Sequence, residues 1–166
     1  MGGGSMTKRD ITLTLNGKTV SGQADPRMTL VDFLRVVLKA TGTHVGCEHG
    51  VCGACTIVLN GEAIRSCLML AVQVESQEVT TVEGLCEEDG SPGILQDAFR
   101  DGHGMQCGYC TPGMLTSVHA LLQSNDDPSD EDILEAIGGN ICRCTGYAQI
   151  IDSIKIGAER LREDKS

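Results

Sequence analysis

Apolar residues alternate with threonines near the start of the chain. Ile11, Leu13 and Leu15 interleave with Thr12 and Thr14, the period of a strand with one buried face. Asn16-Gly17 follows. That pair suits a type I′ turn, which needs positive φ at both central residues, so residues 10–25 predict a β-hairpin. Leu30, Phe33, Leu34 and Val37 then fall on one helical face, behind Thr29 as a cap and Asp32 three residues later. This predicts a helix over 29–40, with Phe33 and Leu34 in the core. A Gly- and Cys-rich loop covers 43–55. Thr56-Ile57-Val58-Leu59 runs into Asn60-Gly61, a second hairpin signal, and Ser66–Val74 and Glu78–Val82 read as further strands.

Beyond Gly84 the pattern becomes helical. Pro92 opens a helix to about Arg100. Thr111-Pro112 reads as a cap and a first-turn proline ahead of a helix to about Gln123. Ser129 with Asp132 caps a short helix ending at Gly138-Gly139, and Ile150, Ile151, Ile154 and Ala158 mark the buried face of a helix from Tyr147 to Leu161. The expected fold is α+β. A strand-rich unit covers 8–84, a Gly/Pro/acidic linker covers 85–91, and a helical unit covers 92–166. Residues 1–7, beginning Met1-Gly2-Gly3-Gly4-Ser5-Met6, read as a cloning remnant and an unordered start.

Composition narrows the partners. Against 13 Lys and Arg stand 23 Asp and Glu, a net charge of -10, which is the wrong sign for nucleic acid or an anionic membrane. With no Trp, two Phe and two Tyr, there is no platform for stacking bases. No apolar run approaches the roughly 18 residues of a membrane span. Nine cysteines is an odd number, so they cannot all pair as internal disulfides. With no export signal at the start, they read as thiols of a cytoplasmic protein, kept for metal or redox chemistry.

Eight of them form two quartets. Cys47, Cys52, Cys55 and Cys67 have the spacing C-x4-C-x2-C-x11-C, whose opening is the plant-type spacing for a [2Fe–2S] cluster. Gly46, Gly50, Gly53 and Ala54 keep the loop small where it passes a cluster, and their N–H groups can point at sulfur. Cys107, Cys110, Cys142 and Cys144 have the spacing C-x2-C-x31-C-x-C. Both halves fall just before predicted helices, whose N-terminal N–H groups favour thiolates. Zinc is the alternative occupant of either quartet. A Rieske centre is excluded, because no Cys has a His three residues later. Cys86 stands apart in the linker as a non-ligand.

The segments Gly46–Thr56, Arg65-Ser66-Cys67, Gln106–Met114 and Gly139–Tyr147 resemble the small iron–sulfur subunit of the molybdenum hydroxylases, the family of xanthine dehydrogenase, aldehyde oxidoreductase and carbon monoxide dehydrogenase. The resemblance spans nearly all of 8–162. It implies a β-grasp, ferredoxin-like domain holding one [2Fe–2S] cluster on Cys47, Cys52, Cys55 and Cys67. It implies a four-helix-bundle-like domain holding a second on Cys107, Cys110, Cys142 and Cys144. A molybdopterin on a large subunit and FAD on a medium subunit would complete a heterotrimer, or a dimer of heterotrimers. Gln106 and the backbone at Cys144 would contact the pterin. Single electrons would pass from molybdenum through both clusters to FAD, with no substrate site on this chain. The stretch Cys47–Leu70 leans toward complexes oxidising N-heterocycles or aromatic acyl-CoA thioesters. The competing readings are a free-standing two-cluster ferredoxin and a zinc-binding interaction module. Tyr109 and Tyr147 are expected to pack around the second quartet. His44 and His49 are expected as exposed loop residues, His119 as structural, His103 near an interface, and Arg143, between two ligands, as raising a cluster potential or pairing at an interface.

Overall fold

The computed structural model describes residues 7–165; the leader read at Met1–Met6 lies outside them. The first half is a five-stranded sheet in the order β2-β1-β5-β3-β4. Strands β1 (Arg9–Leu15) and β2 (Lys18–Ala24) pair antiparallel. Their turn has φ of 50° at Asn16 and 75° at Gly17, as the type I′ reading requires. β3 (Thr56–Leu59) and β4 (Glu62–Arg65) form the second hairpin. β5 (Glu78–Thr80) lies between the hairpins, parallel to β1 and antiparallel to β3. Ile11, Leu13 and Leu15 all point into a core with Leu30, Phe33, Leu34, Ile57 and Val79. Burying one such large side chain contributes roughly 1.5–3 kcal/mol.

Two local expectations need correction. The helix over 29–40 is α1 (Leu30–Asp32) followed by a π-helical turn, Phe33–Val37. Thr29 caps it as expected, accepting the Asp32 N–H. The helix then widens because Leu38 N–H reaches back to Phe33 C=O, and it stops at Lys39, whose φ is 63°. Arg35 on this turn donates to the carbonyls of Thr41 and Thr43, which aims the chain into the cysteine loop. Ser66–Val74 is not a strand. It forms two 3-10 turns, Ser66–Leu68 and Ala71–Val74, joined to the α1 segment by a single bridge between Thr29 and Leu70. Its N–H and C=O groups find partners at Met28, Leu30, Cys55 and within the turns, so no ladder forms.

Four helices follow: α2 (Ile94–Asp101), α3 (Thr111–Ser124), α4 (Asp130–Ile137) and α5 (Ala148–Asp164). α2 starts two residues after Pro92, with Gly93 as its cap. Ser129 and Asp132 form the expected capping box of α4. Phe99, Met114, Val118, Ile133, Ile137, Ile150 and Ile154 make the second core. α3 also packs on β3, so one helix serves both the bundle and the sheet. The architecture is α+β, a ferredoxin-like sheet with a helical bundle against it. Among the described residues no helix is long and apolar enough to cross a membrane.

A candidate pair of iron–sulfur centres

The first quartet sits on the loop before β3 and on the turn after β4. Cys55 and Cys67 are buried, while Cys47 and Cys52 are half-buried. Ser66 ties the deep pair together, its hydroxyl donating to Cys55 C=O at 2.7 Å. Burial pushes the Cys67 thiol up to about 11, helped by its contact with the Cys55 thiol. Cys47 behaves oppositely. The Cys52 N–H points at its Sγ from 3.4 Å, and the N–H groups of His49 and Val51 add to it. The thiol is drawn down to about 6. A loop whose successive N–H groups converge on one sulfur is a nest suited to holding negative charge. The loop's glycines are where it comes closest to its neighbours. A Cβ at Gly46 would stand 2.9 Å from Cys52 Sγ. At Gly53, with φ 74°, a Cβ would stand 2.3 Å from Gly139 C=O.

The second quartet joins the start of α3 to the loop between α4 and α5. Cys107 and Cys144 are exposed, and Cys110 and Cys142 are half-buried. Cys107 and Cys144 bring their sulfurs to 3.5 Å. Burial, then contact with Cys142, pushes the Cys110 thiol up to about 12. The helix-start expectation holds for one half only. Cys110 is itself the cap residue of α3, with Thr111 as the first helical residue. α5 begins at Ala148 behind Tyr147, four or more residues past the other two cysteines. The donors at Cys142 therefore come from the loop, from Thr145 and Cys144, and not from the first turn of α5.

In both quartets the thiols gather in twos: Cys47 with Cys52, Cys55 with Cys67, Cys107 with Cys144, and Cys110 with Cys142. No group of three or more His, Cys, Asp or Glu among the described residues converges as one metal ion would require. Two sulfur pairs per site, the first of them in a loop where a Cβ at Gly46 or Gly53 would collide with its neighbours, fit a cluster in which each of two irons takes two thiolates. Cys86 is exposed and apart, accepting a bond from the Gln96 side chain.

The two sites lie against each other, and the residues that join them escaped the sequence reading. Ile141 N–H donates to Cys52 C=O at 2.9 Å. Asn140 is 1% exposed. Its amide donates to Gly53 C=O at 3.0 Å and to Thr56 Oγ1 at 3.3 Å, and its Oδ1 accepts from Ser117 at 2.9 Å. Arg65 donates to Thr56 Oγ1 at 2.6 Å and to Gly139 C=O at 2.7 Å, and Thr116 donates to Thr56 C=O at 2.9 Å. The one available signal was an amide side chain two residues ahead of a Cys-x-Cys.

Tyr147 packs around the second loop as expected, its hydroxyl accepting Cys142 N–H at 2.9 Å. Tyr109 instead reaches across, donating to Val45 C=O. His44 is correspondingly half-buried, not an exposed loop residue. Its ring lies 5.0 Å from that of Tyr109, with Nδ1 at 2.9 Å from Tyr109 C=O. His49, His103, Arg143 and Gln106 are exposed.

Two family models together cover residues 13–155: a "2Fe-2S iron-sulfur cluster binding domain" over residues 13–86 and a "[2Fe-2S] binding domain" over 81–155. The chain is 54% identical over 153 residues to caffeine dehydrogenase subunit gamma of Pseudomonas sp. (strain CBB1), covering 90% of this chain and 91% of that one. It is 48% identical over 145 residues to the nicotine 6-hydroxylase small subunit of Paenarthrobacter nicotinovorans, covering 87% of each. Among solved structures, quinoline 2-oxidoreductase from Pseudomonas putida 86 superposes with a TM-score of 0.90 at 46% identity, covering 96% of this chain and 99% of that one. With two [2Fe–2S]-binding domains in this order and relatives that are oxidoreductase subunits along nearly their whole length, the chain belongs to the small iron–sulfur subunits of the molybdenum hydroxylase (xanthine dehydrogenase) family.

Proposed function

We propose that the chain relays single electrons from a molybdopterin centre, through [2Fe–2S] clusters on Cys107/Cys110/Cys142/Cys144 and then Cys47/Cys52/Cys55/Cys67, to FAD. When bound on their partner subunits, the molybdopterin supplies substrate oxidation with oxygen from water and the flavin collects the electrons in pairs. The observation that carries the reading is the bond from Ile141 N–H to Cys52 C=O at 2.9 Å. Cys52 is a candidate ligand of one cluster, and Ile141 is covalently joined to Cys142 of the other. One hydrogen bond and two short backbone segments thus connect a thiol of each quartet. Asn140 grips the carbonyl of Gly53, the residue after Cys52, and keeps the two segments in register.

The order of the relay is supported by exposure. Gln106, Cys107 and Cys144 are exposed together, so one sulfur pair and an amide side chain are available to a pterin. Near the first quartet, Val51 and Leu68 are 58% and 63% exposed and offer an apolar rim to a flavin-bearing partner. The complex would be a heterotrimer with a large and a medium subunit, or a dimer of heterotrimers, in the cytoplasm. Its substrate class is an N-heterocycle and not an aromatic acyl-CoA. Two relatives are named for caffeine and nicotine and one solved neighbour for quinoline, all nitrogen heterocycles, which supports this reading.

The test is anaerobic mixing of the copurified complex with an N-heterocyclic substrate, following each cluster by rapid-freeze paramagnetic resonance. The second cluster should be reduced before the first. Gln106→Ala should keep all the iron yet slow that first step, while His49→Ala leaves it unchanged. Slowing by the His49 change alone would reverse the order of cofactors. A chain that purifies without partners would favour a free-standing ferredoxin.

A further inference from the structure

Cys142 meets a side-chain hydroxyl: Thr145 Oγ1 lies 3.2 Å from its Sγ. The rest of the loop fixes the direction of that bond. Thr145 Oγ1 accepts the Tyr147 N–H at 3.1 Å, so a lone pair is engaged and the hydroxyl proton is left to donate. Tyr147 is itself anchored. Its backbone is left-handed, with φ 71°, and its ring hydroxyl accepts Cys142 N–H at 2.9 Å and donates to Asn140 C=O at 3.3 Å. The Thr145 hydroxyl cannot swing off the sulfur without leaving a backbone donor unpaired.

When a cluster gains an electron, negative charge grows on its thiolate sulfurs. A donor held against one of them interacts more strongly with the reduced state than with the oxidised one. We propose that the Thr145 hydroxyl raises the reduction potential of the second cluster relative to the first, and so sets how an electron divides between them. This deepens the relay reading above and rests on it. No bond forms or breaks. One electron enters from the substrate-oxidising centre of a partner, one leaves toward the first cluster, and the proton stays on the Thr145 oxygen. The first quartet has no equivalent handle at Cys47, where the donors are backbone N–H groups of the loop. A side-chain change at Thr145 therefore acts on one cluster only.

The experiment is a redox titration of the full chain, loaded with iron and sulfide, with each cluster read by its own paramagnetic signal. Cys47→Ala and Cys144→Ala chains assign the signals. Thr145→Val should lower the midpoint of the second cluster, shifting the electron toward the first by about tenfold, or about 59 mV for a one-electron couple. Thr145→Ser, which keeps the donor, should match the unsubstituted chain, and the first cluster should not move in either. Unchanged midpoints, or equal shifts of both clusters, would overturn the proposal. So would loss of the second cluster in both Thr145→Val and Thr145→Ala while Thr145→Ser retains it, because the hydroxyl would then be a loop brace. If the unsubstituted chain gave no [2Fe–2S] signal at all, the relay reading would fall and the tuning role with it.

Discussion

The two quartets reach a similar grouping of thiols by different routes. The first is made locally. One loop and one hairpin supply all four cysteines within 21 residues, from Cys47 to Cys67, and the donors at Cys47 are N–H groups of the same loop. The second is made by tertiary packing. Cys110 and Cys142 lie 32 residues apart and meet because α3, α4 and α5 share a core. The first is therefore sensitive to backbone conformation. The second is sensitive to the seam that holds its two loops together and to side chains such as Thr145.

The sharpest way to break this contrast is at Gly53, where the sites touch. Its φ is 74°, and an added Cβ would meet backbone on two sides, Gly139 C=O at 2.3 Å and Asn140 Cα at 2.8 Å. Left-handed strain and backbone overlap together should cost on the order of 4 kcal/mol in Gly53→Ala. Both cluster signals should weaken. Gly50→Ala is the control. Its φ is also positive, but the added Cβ meets only the Leu68 side chain, which is 63% exposed and can move. It should cost about 1–2 kcal/mol and disturb the first cluster alone. Iron content per chain distinguishes the two outcomes.

A smaller loss is expected at Asn140. Asn140→Ala leaves the Ser117 hydroxyl without its buried partner, while Gly53 C=O keeps the N–H and hydroxyl of Thr56. The expected destabilisation is about 2 kcal/mol, a fall of about 4–8 °C in melting temperature. Both clusters should remain, while exchange between them slows because Ile141 N–H drifts from Cys52 C=O. Melting curves and rapid-reduction kinetics on the same sample check both parts.

The mildest effect is a pH dependence at the junction of sheet and bundle. His119 on α3 is half-buried beside Val58 and Thr80, and burial holds its pKa below the ordinary 6.5. In mildly acidic solution the unfolded chain binds a proton that the folded chain refuses, so stability falls as pH drops through 6.5 toward the lower folded value. His119→Gln should flatten this slope in denaturant titrations. An unchanged slope would assign the acid sensitivity elsewhere.

These contrasts bear on what could be read from the sequence. Both Leu-Asn-Gly hairpins were legible because alternation and turn chemistry agree at the same positions. Helix α3 was legible from its Thr111-Pro112 start, α4 from Ser129 with Asp132, and α5 from its apolar face. The π-helical turn at Phe33–Val37 was not, since its widening comes from a reach-back bond that periodicity does not encode. Ser66–Val74 looked like a strand because its residues are apolar and β-compatible, yet its backbone bonds go to Met28, Leu30, Cys55 and its own turns. The cysteine quartets stood out by spacing. Their division into pairs did not, and neither did Asn140 or Thr145. Polar loop residues look alike until the fold brings residue 52 beside residue 141.

The most direct test of the account is iron, acid-labile sulfide and zinc analysis of the purified chain, joined to paramagnetic resonance after full reduction. Two [2Fe–2S]-binding domains predict equal iron and sulfide, four of each per chain. They also predict two separable signals, one removed by Cys47→Ala and the other by Cys144→Ala. A colourless chain with stoichiometric zinc, or a single signal lost in both variants, would contradict it.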